Sequence, residues 1–84
     1  MNTKVEDGGA TSANWRQEIG ELLRAERRMQ ELEIEDIAER LKLRASFVAA
    51  VEDGRGQDHM DETYEWSHIK AIAGMLGIEL KARA

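Results

Sequence analysis

The sequence predicts an all-α fold, a compact bundle of four to five helices. Three observations carry this. Apolar residues recur at helical spacing in four segments of the 84-residue chain. No segment alternates apolar and polar residues for more than a few positions, as a half-buried strand would. The segments are divided by short polar breaks and glycines, and the chain has no proline to interrupt any of them.

Met1 to Ala13 is polar, carries Gly8-Gly9 and has no apolar period, so it is expected to be a flexible leader, residues 1–13. Asn14-Trp15-Arg16-Gln17 resembles a capping box, with Asn14 as cap and Gln17 three residues on, and a first helix is expected to start there. Its apolar stripe is Trp15, Ile19, Leu22, Leu23 and Met29, with Arg16, Glu21, Arg24, Arg27 and Arg28 mostly facing elsewhere. A second, short helix begins at about Glu33 or Ile34 and turns Ile34, Ile37, Ala38 and Leu41 inward. After the break Lys42-Leu43-Arg44, a third helix covers about Ala45 to Asp53. It is anchored by Phe47 and Val51 and stopped by Gly54 in a left-handed conformation. Residues 55 to 62 form a polar loop. The last helix runs from about Thr63 or Tyr64 to Leu76, with Ile69, Ile72, Ala73 and Leu76 on its inner face and Gly77 as its stop. One domain, residues 14–80, followed by a short tail, 81–84, accounts for the chain.

Two short helices joined by a tight break, with longer helices on either side, have the outline of a helix-turn-helix of the phage-repressor kind, lambda-repressor-like in architecture. A chain of this length holds one small core. With 42% hydrophobic and 35% charged residues it has a globular rather than a disordered balance. The formal net charge of −5 sets any affinity for nucleic acid at a disadvantage, because that affinity comes largely from Lys and Arg neutralising phosphates. The absence of cysteine excludes disulfides and thiolate metal sites and agrees with a reducing, cytoplasmic setting. No apolar run approaches the roughly 18–20 residues that cross a bilayer, and the N-terminus lacks a hydrophobic signal core, so no membrane contact by this chain is expected.

Several residues narrow the resemblance. They are Gly20, Leu23 and Arg24 in the first helix, and Ile34 with the run Glu35 to Arg44 through the second helix and turn. Ser46-Phe47 and Glu52-Asp53-Gly54-Arg55 follow in the third, then Tyr64 and Leu76-Gly77-Ile78. In this pattern residues 19 to 78 resemble the N-terminal cytoplasmic helix-turn-helix domain of the RodZ family of bacterial cell-shape proteins. The resemblance implies a phage-repressor-like fold used as an adaptor to an actin-like cytoskeletal filament, in proteins that continue into a membrane span. This chain is then either a cut-out domain or a free-standing relative. It departs from the family where a glycine and a serine usually precede the second helix, here Glu31 and Glu33. It departs again at a leucine-proline pair, here His59-Met60, and at a glycine-phenylalanine pair, here Ser67-His68. The last positions belong to the surface that meets the bacterial actin in the family.

The third helix decides between partner classes. With Phe47 and Val51 inward, Ser46, Val48, Ala49 and Glu52, and Ala50 with them, are expected near the surface. Base readout wants Arg or Lys for guanine and Asn or Gln for adenine. Of these only Ser46 bonds a base without repelling phosphate, and Glu52 and Asp53 oppose the backbone. A small, apolar and acidic outer face suits a protein partner better. Tyr64, Trp66 and His68, beside Glu65, are candidates for an exposed aromatic patch of the kind that anchors interfaces, Trp66 having a core reading as well. The competing expectation is a sequence-specific DNA-binding repressor of the Cro type. It would grip phosphates through Arg40, Lys42, Arg44 and Arg55 and present Ser46 to the groove, although pairing of these cations with Glu35, Asp36 and Glu39 explains the patch equally well. His59 and His68 lack a metal-ligand spacing. No nucleophile comes with a base and oxyanion site and there is no glycine-rich phosphate loop. Neither an enzyme, nor a cofactor, nor a metal is therefore expected.

Overall fold

A computed structural model describes the backbone of residues 7–80 and the side chains of residues 15–80. Residues 1–6 of the expected leader and the tail 81–84 lie outside the described residues. Four helices follow one another, α1 (Asp7–Met29), α2 (Ile34–Leu41), α3 (Ala45–Glu52) and α4 (Glu62–Leu76), with a single 3₁₀ turn at Gly56–Asp58 and no strand among the described residues. The fold is all-α, as the spacing of apolar residues requires.

The expected start of α1 at Asn14 falls inside the helix, whose backbone is already helical at Asp7. Once a helix is nucleated each further residue adds one hydrogen bond, and no proline stands between Asp7 and Asn14 to stop it.

The apolar stripe expected on α1 is split. Leu23 is buried and Trp15 and Ile19 are half-buried, but Leu22 is 47% and Met29 75% exposed. The side of α1 that meets α3 and α4 carries Arg16, Gly20, Leu23 and Arg27 instead. Gly20 sets this rotation: a Cβ there would lie 2.5 Å from the carbonyl oxygen of Glu52 and 2.6 Å from that of Val51, so the two backbones touch where α1 crosses the end of α3.

Helix α3 sits at the centre, packed on α1, α2 and the 3₁₀ turn. It therefore buries far more of its circumference than a surface helix does: Phe47, Val48, Ala50, Val51 and Glu52 are all inside. This corrects the expected placement of three residues. Val48 is wholly buried and joins Leu23, Ile37, Phe47, Val51, Ile69, Ile72 and Leu76 in the core, Ala50 is buried beside them, and Glu52 is 2% exposed. The inward faces expected for α2 and α4 hold. Ile37 and Ala38 are buried while Ile34 and Leu41 pack on the core edge, and Ile69, Ile72, Ala73 and Leu76 are buried.

The stops are made in the left-handed region. Gly54 (φ 78) and Gly77 (φ 84) occupy it as expected, with Arg55 N–H donating to Ala50 O (2.7 Å) and Ile78 N–H to Ala73 O (2.8 Å). Two non-glycine residues do the same work. Glu31 (φ 60) ends α1 and Lys42 (φ 61) ends α2, with Leu32 N–H donating to Arg27 O (3.0 Å) and Leu43 N–H to Ala38 O (2.8 Å). Side-chain crowding in this region costs about 1–2 kcal/mol, partly offset by the entropy that glycine loses on folding. Glu31→Gly and Lys42→Gly are each expected to stabilise the domain by about 0.5–1 kcal/mol. Urea melts followed by circular dichroism measure this, and a lower midpoint in both variants would refute it. At the start of α2 the backbone N–H of Glu33 donates to Asp36 Oδ2 (2.7 Å), one half of a capping box.

Candidate binding surface

Burial leaves α3 a narrow outer face. Ser46 is exposed and Ala45 and Ala49 are half-exposed, with the exposed Arg44 immediately before the helix. This face shares a shallow hollow of ≈ 440 Å³ with the first turn of α2. Its lining is Arg27, Glu33, Ile34, Glu35, Ala45, Ser46 and Ala49. Ile34, Ala45 and Ala49 are apolar, and two carboxylates stand beside them. Glu33 and Glu35 were not among the binding residues expected from the sequence. The missing information was the crossing of α2 over α3, which no local periodicity encodes.

The acidic groups held against phosphate binding behave differently. Glu52 is buried and fully engaged: Arg27 donates to it from Nε (2.7 Å) and Nη2 (3.0 Å), and Arg24 from Nε (3.3 Å). Arg24 also binds Asp53 through Nη2. The remaining nitrogen of Arg27 donates to Leu32 O (2.8 Å), tying the end of α1 to the same cluster. Hydrogen bonding to Glu52 holds the Arg27 guanidinium above its ordinary range against the opposing effect of burial, and bonding to Asp53 and then Glu52 does so for Arg24. Glu52 is therefore a structural anchor of α3 and no part of a surface. The second such anchor joins α1 to α4. Arg16 grips the buried Glu65 with two parallel bonds of 2.8 Å, which raise its affinity for the proton, and its guanidinium lies 4.6 Å from the Trp15 ring centre.

The expected aromatic patch on α4 comes apart in the same way. Glu65 is underneath. Trp66 is half-buried and meets the Trp15 ring edge to face at 5.5 Å. His68 is half-buried and edge-on to Phe47 at 5.6 Å, and His59, from the loop, is edge-on to the same ring at 5.8 Å. Tyr64 alone is a large exposed group, at 63%. No three His, Asp or Glu side chains among the described residues are placed to hold a metal ion.

Arg40, Lys42 and Arg44 are exposed around the α2 to α3 turn and make none of the expected pairs with Glu35, Asp36 or Glu39 within salt-bridge reach among the described residues. Arg55 meets Asp58 at 3.5 Å, both groups being well exposed, a contact worth little in water. Arg40 also borders a second hollow, of ≈ 400 Å³, with Leu32, Asp36, Glu39 and Met75.

Two short helices, a three-residue break with one left-handed residue and a central second helix are the frame of a helix-turn-helix unit, here α2 and α3. Residues 22–82 match the helix-turn-helix domain family. The chain belongs to that family. No curated protein and no solved structure matches it. In this helix-turn-helix domain α3 holds the position of the recognition helix. No described helix is long and apolar enough to cross a membrane. The family match covers a scaffold that serves both DNA and protein partners, so the choice between them rests on the side chains around α3.

Proposed function

We propose that this helix-turn-helix domain is a non-enzymatic protein-binding module of the cytoplasm that presents the outer face of α3, Ser46 and Ala49, to a protein partner. The observation that carries the reading is the composition of the hollow on that face. Its apolar residues are Ile34, Ala45 and Ala49, it has no Asn, Gln or Lys to read a base edge, its one arginine, Arg27, is held by Glu52, and Glu33 and Glu35 set two negative charges beside α3. Taking charged groups next to a duplex backbone with the wrong sign costs affinity at the point where binding has to begin. The burial of Val48 and Glu52 narrows the surface to Ala45, Ser46 and Ala49 on α3, and Tyr64 offers a separate aromatic anchor on α4.

The resemblance to the RodZ family favours an actin-like filament protein as the partner. A small acidic domain that binds and holds a transcription regulator is the variant within the same class. Co-sedimentation of the native chain with polymerised bacterial actin tests the first. The native chain is expected in the pellet and the Ala49→Arg variant in the supernatant, since a long cation on the outer face of α3 fills the hollow without touching the core. Native chain left in the supernatant would remove the actin partner and leave the regulator-binding variant.

One observation favours the repressor reading. Arg40, Lys42 and Arg44 are exposed and unpaired among the described residues, and Arg24 and Arg27 neutralise Glu52 and Asp53, so the phosphate-facing charge is less adverse than the sequence implies. It is outweighed by Glu33 and Glu35, which lie in the hollow itself while the three cations lie around the turn.

A further inference from the structure

The rotation of α1 that buries Arg27 leaves a row of apolar side chains on the opposite side of the helix. Leu22, Ala25 and Met29 are all exposed, at i, i+3 and i+7. That is the spacing by which one helix packs along another, and nothing among the described residues covers it. Trp15, one heptad before Leu22 on the same side, is half-buried against Trp66. Glu18 ends the apolar run at the N-terminal side.

The flanking charges say what covers it. Glu21 and Arg28, seven residues apart, share one edge of the row, are exposed, and are in no ion pair among the described residues. On the other edge Glu26 is turned along the helix to accept from Gln30 Nε2 (3.1 Å). Helices paired antiparallel bring like edges together, so a copy of α1 running the other way sets Glu21 of each chain beside Arg28 of the other and Leu22 beside Met29. A parallel copy would instead set the edge with Glu21 beside the partner's edge with Glu26, acid against acid. The row is therefore complementary to itself under a two-fold axis perpendicular to the helices and not under one parallel to them.

We infer that α1 is a homodimer interface, in which this face pairs antiparallel with the same face of a second copy of the chain. The apolar row spans only about two turns, roughly 11 Å of helix, so the dimer is weak and of the reversible kind.

Sedimentation equilibrium of the full chain at low salt, loaded up to on the order of 500 µM, reads it directly. A monomer–dimer equilibrium is expected, abolished by Leu22→Lys/Met29→Lys. Both side chains are exposed, so the helical circular dichroism of this variant should equal that of the native chain. Glu21→Arg and Arg28→Glu place like charges at both ends of the pair and are each expected to be monomeric. Mixed in equal amounts, they restore two opposite pairs and are expected to form a heterodimer. A native chain that stays monomeric throughout overturns the inference. So does a dimer indifferent to the two lysines, or a mixture of the two charge variants that stays monomeric. The charge variants touch no buried group and keep the test decisive if the double lysine variant fails to fold.

Discussion

Glu52→Ala is expected to remove most of the domain's stability at 25 °C. The carboxylate is buried against Arg27 and Arg24, and its removal leaves the Arg27 guanidinium, itself buried, facing a void with one carbonyl as partner. Breaking a buried pair from one side costs about 3–5 kcal/mol, because a charge then stays desolvated without its counter-charge. A domain of this size has on the order of 5 kcal/mol to lose. The pair itself is not required for a stable fold. Arg27→Met/Glu52→Leu, which fills the same space with apolar groups, is expected to recover at least half of the lost stability. Urea denaturation of the three proteins measures both effects, and a Glu52→Ala midpoint close to the native one would show that Glu52 does not anchor α3.

Gly20→Ala is the second large effect. In an exposed helix the change would stabilise by about 1 kcal/mol through propensity. Here the new methyl meets two backbone carbonyl oxygens at 2.5 and 2.6 Å, and backbone cannot swing aside as a side chain does. Helix α1 has to lift from α3, which stretches both Arg27–Glu52 and Arg24–Glu52. A net loss of about 2–3 kcal/mol is expected, since overpacking of a close contact outweighs the propensity gain. For a domain of this length that is a fall of roughly 10–20 °C in Tm, readable by calorimetry. A raised Tm would mean that the crossing of α1 over α3 is looser than the structure has it.

Both effects come from the part of the fold that the sequence conceals. The positions of α2, α3 and α4, the two glycine stops and the inward faces of α2 and α4 were legible because they are local: Ile69, Ile72, Ala73 and Leu76 repeat at helical spacing and Gly77 closes the helix. The rotation of α1 was not. Its strongest apolar stripe ran through Leu22 and Met29, while the side that packs is held by two arginines whose partners lie 25 and 49 residues away in sequence. Arginine and glutamate look like surface residues singly, and only the fold brings them together as buried pairs. The same cause misplaced Val48 and Glu52. A helix of eight residues packed on three neighbours buries most of its circumference, so Phe47 and Val51 mark only part of its inner face. Spacing held one usable sign, since Val48 and Glu52 are four apart on the side next to Phe47 and Val51.

The candidate surface was legible in part. Ser46 and Ala49 are where the outer face of α3 was expected, and Tyr64 is exposed. Trp66 and His68 are instead engaged with Trp15 and Phe47. Glu33 and Glu35, the two residues that turn the hollow against phosphate, reach it only through the crossing of α2 over α3. The three exposed cations at the turn and the two carboxylates in the hollow thus pull in opposite directions, and their sum is a measurable quantity.

That quantity is the affinity of the native chain for mixed-sequence duplex DNA, titrated at low salt, where electrostatic attraction is least screened. A protein-facing α3 gives no saturable binding at up to about 100 µM, the weak end of ordinary non-specific affinity. Binding at micromolar concentration that weakens steeply with added salt would contradict it, returning α3 to the groove and Arg40, Lys42 and Arg44 to the phosphates.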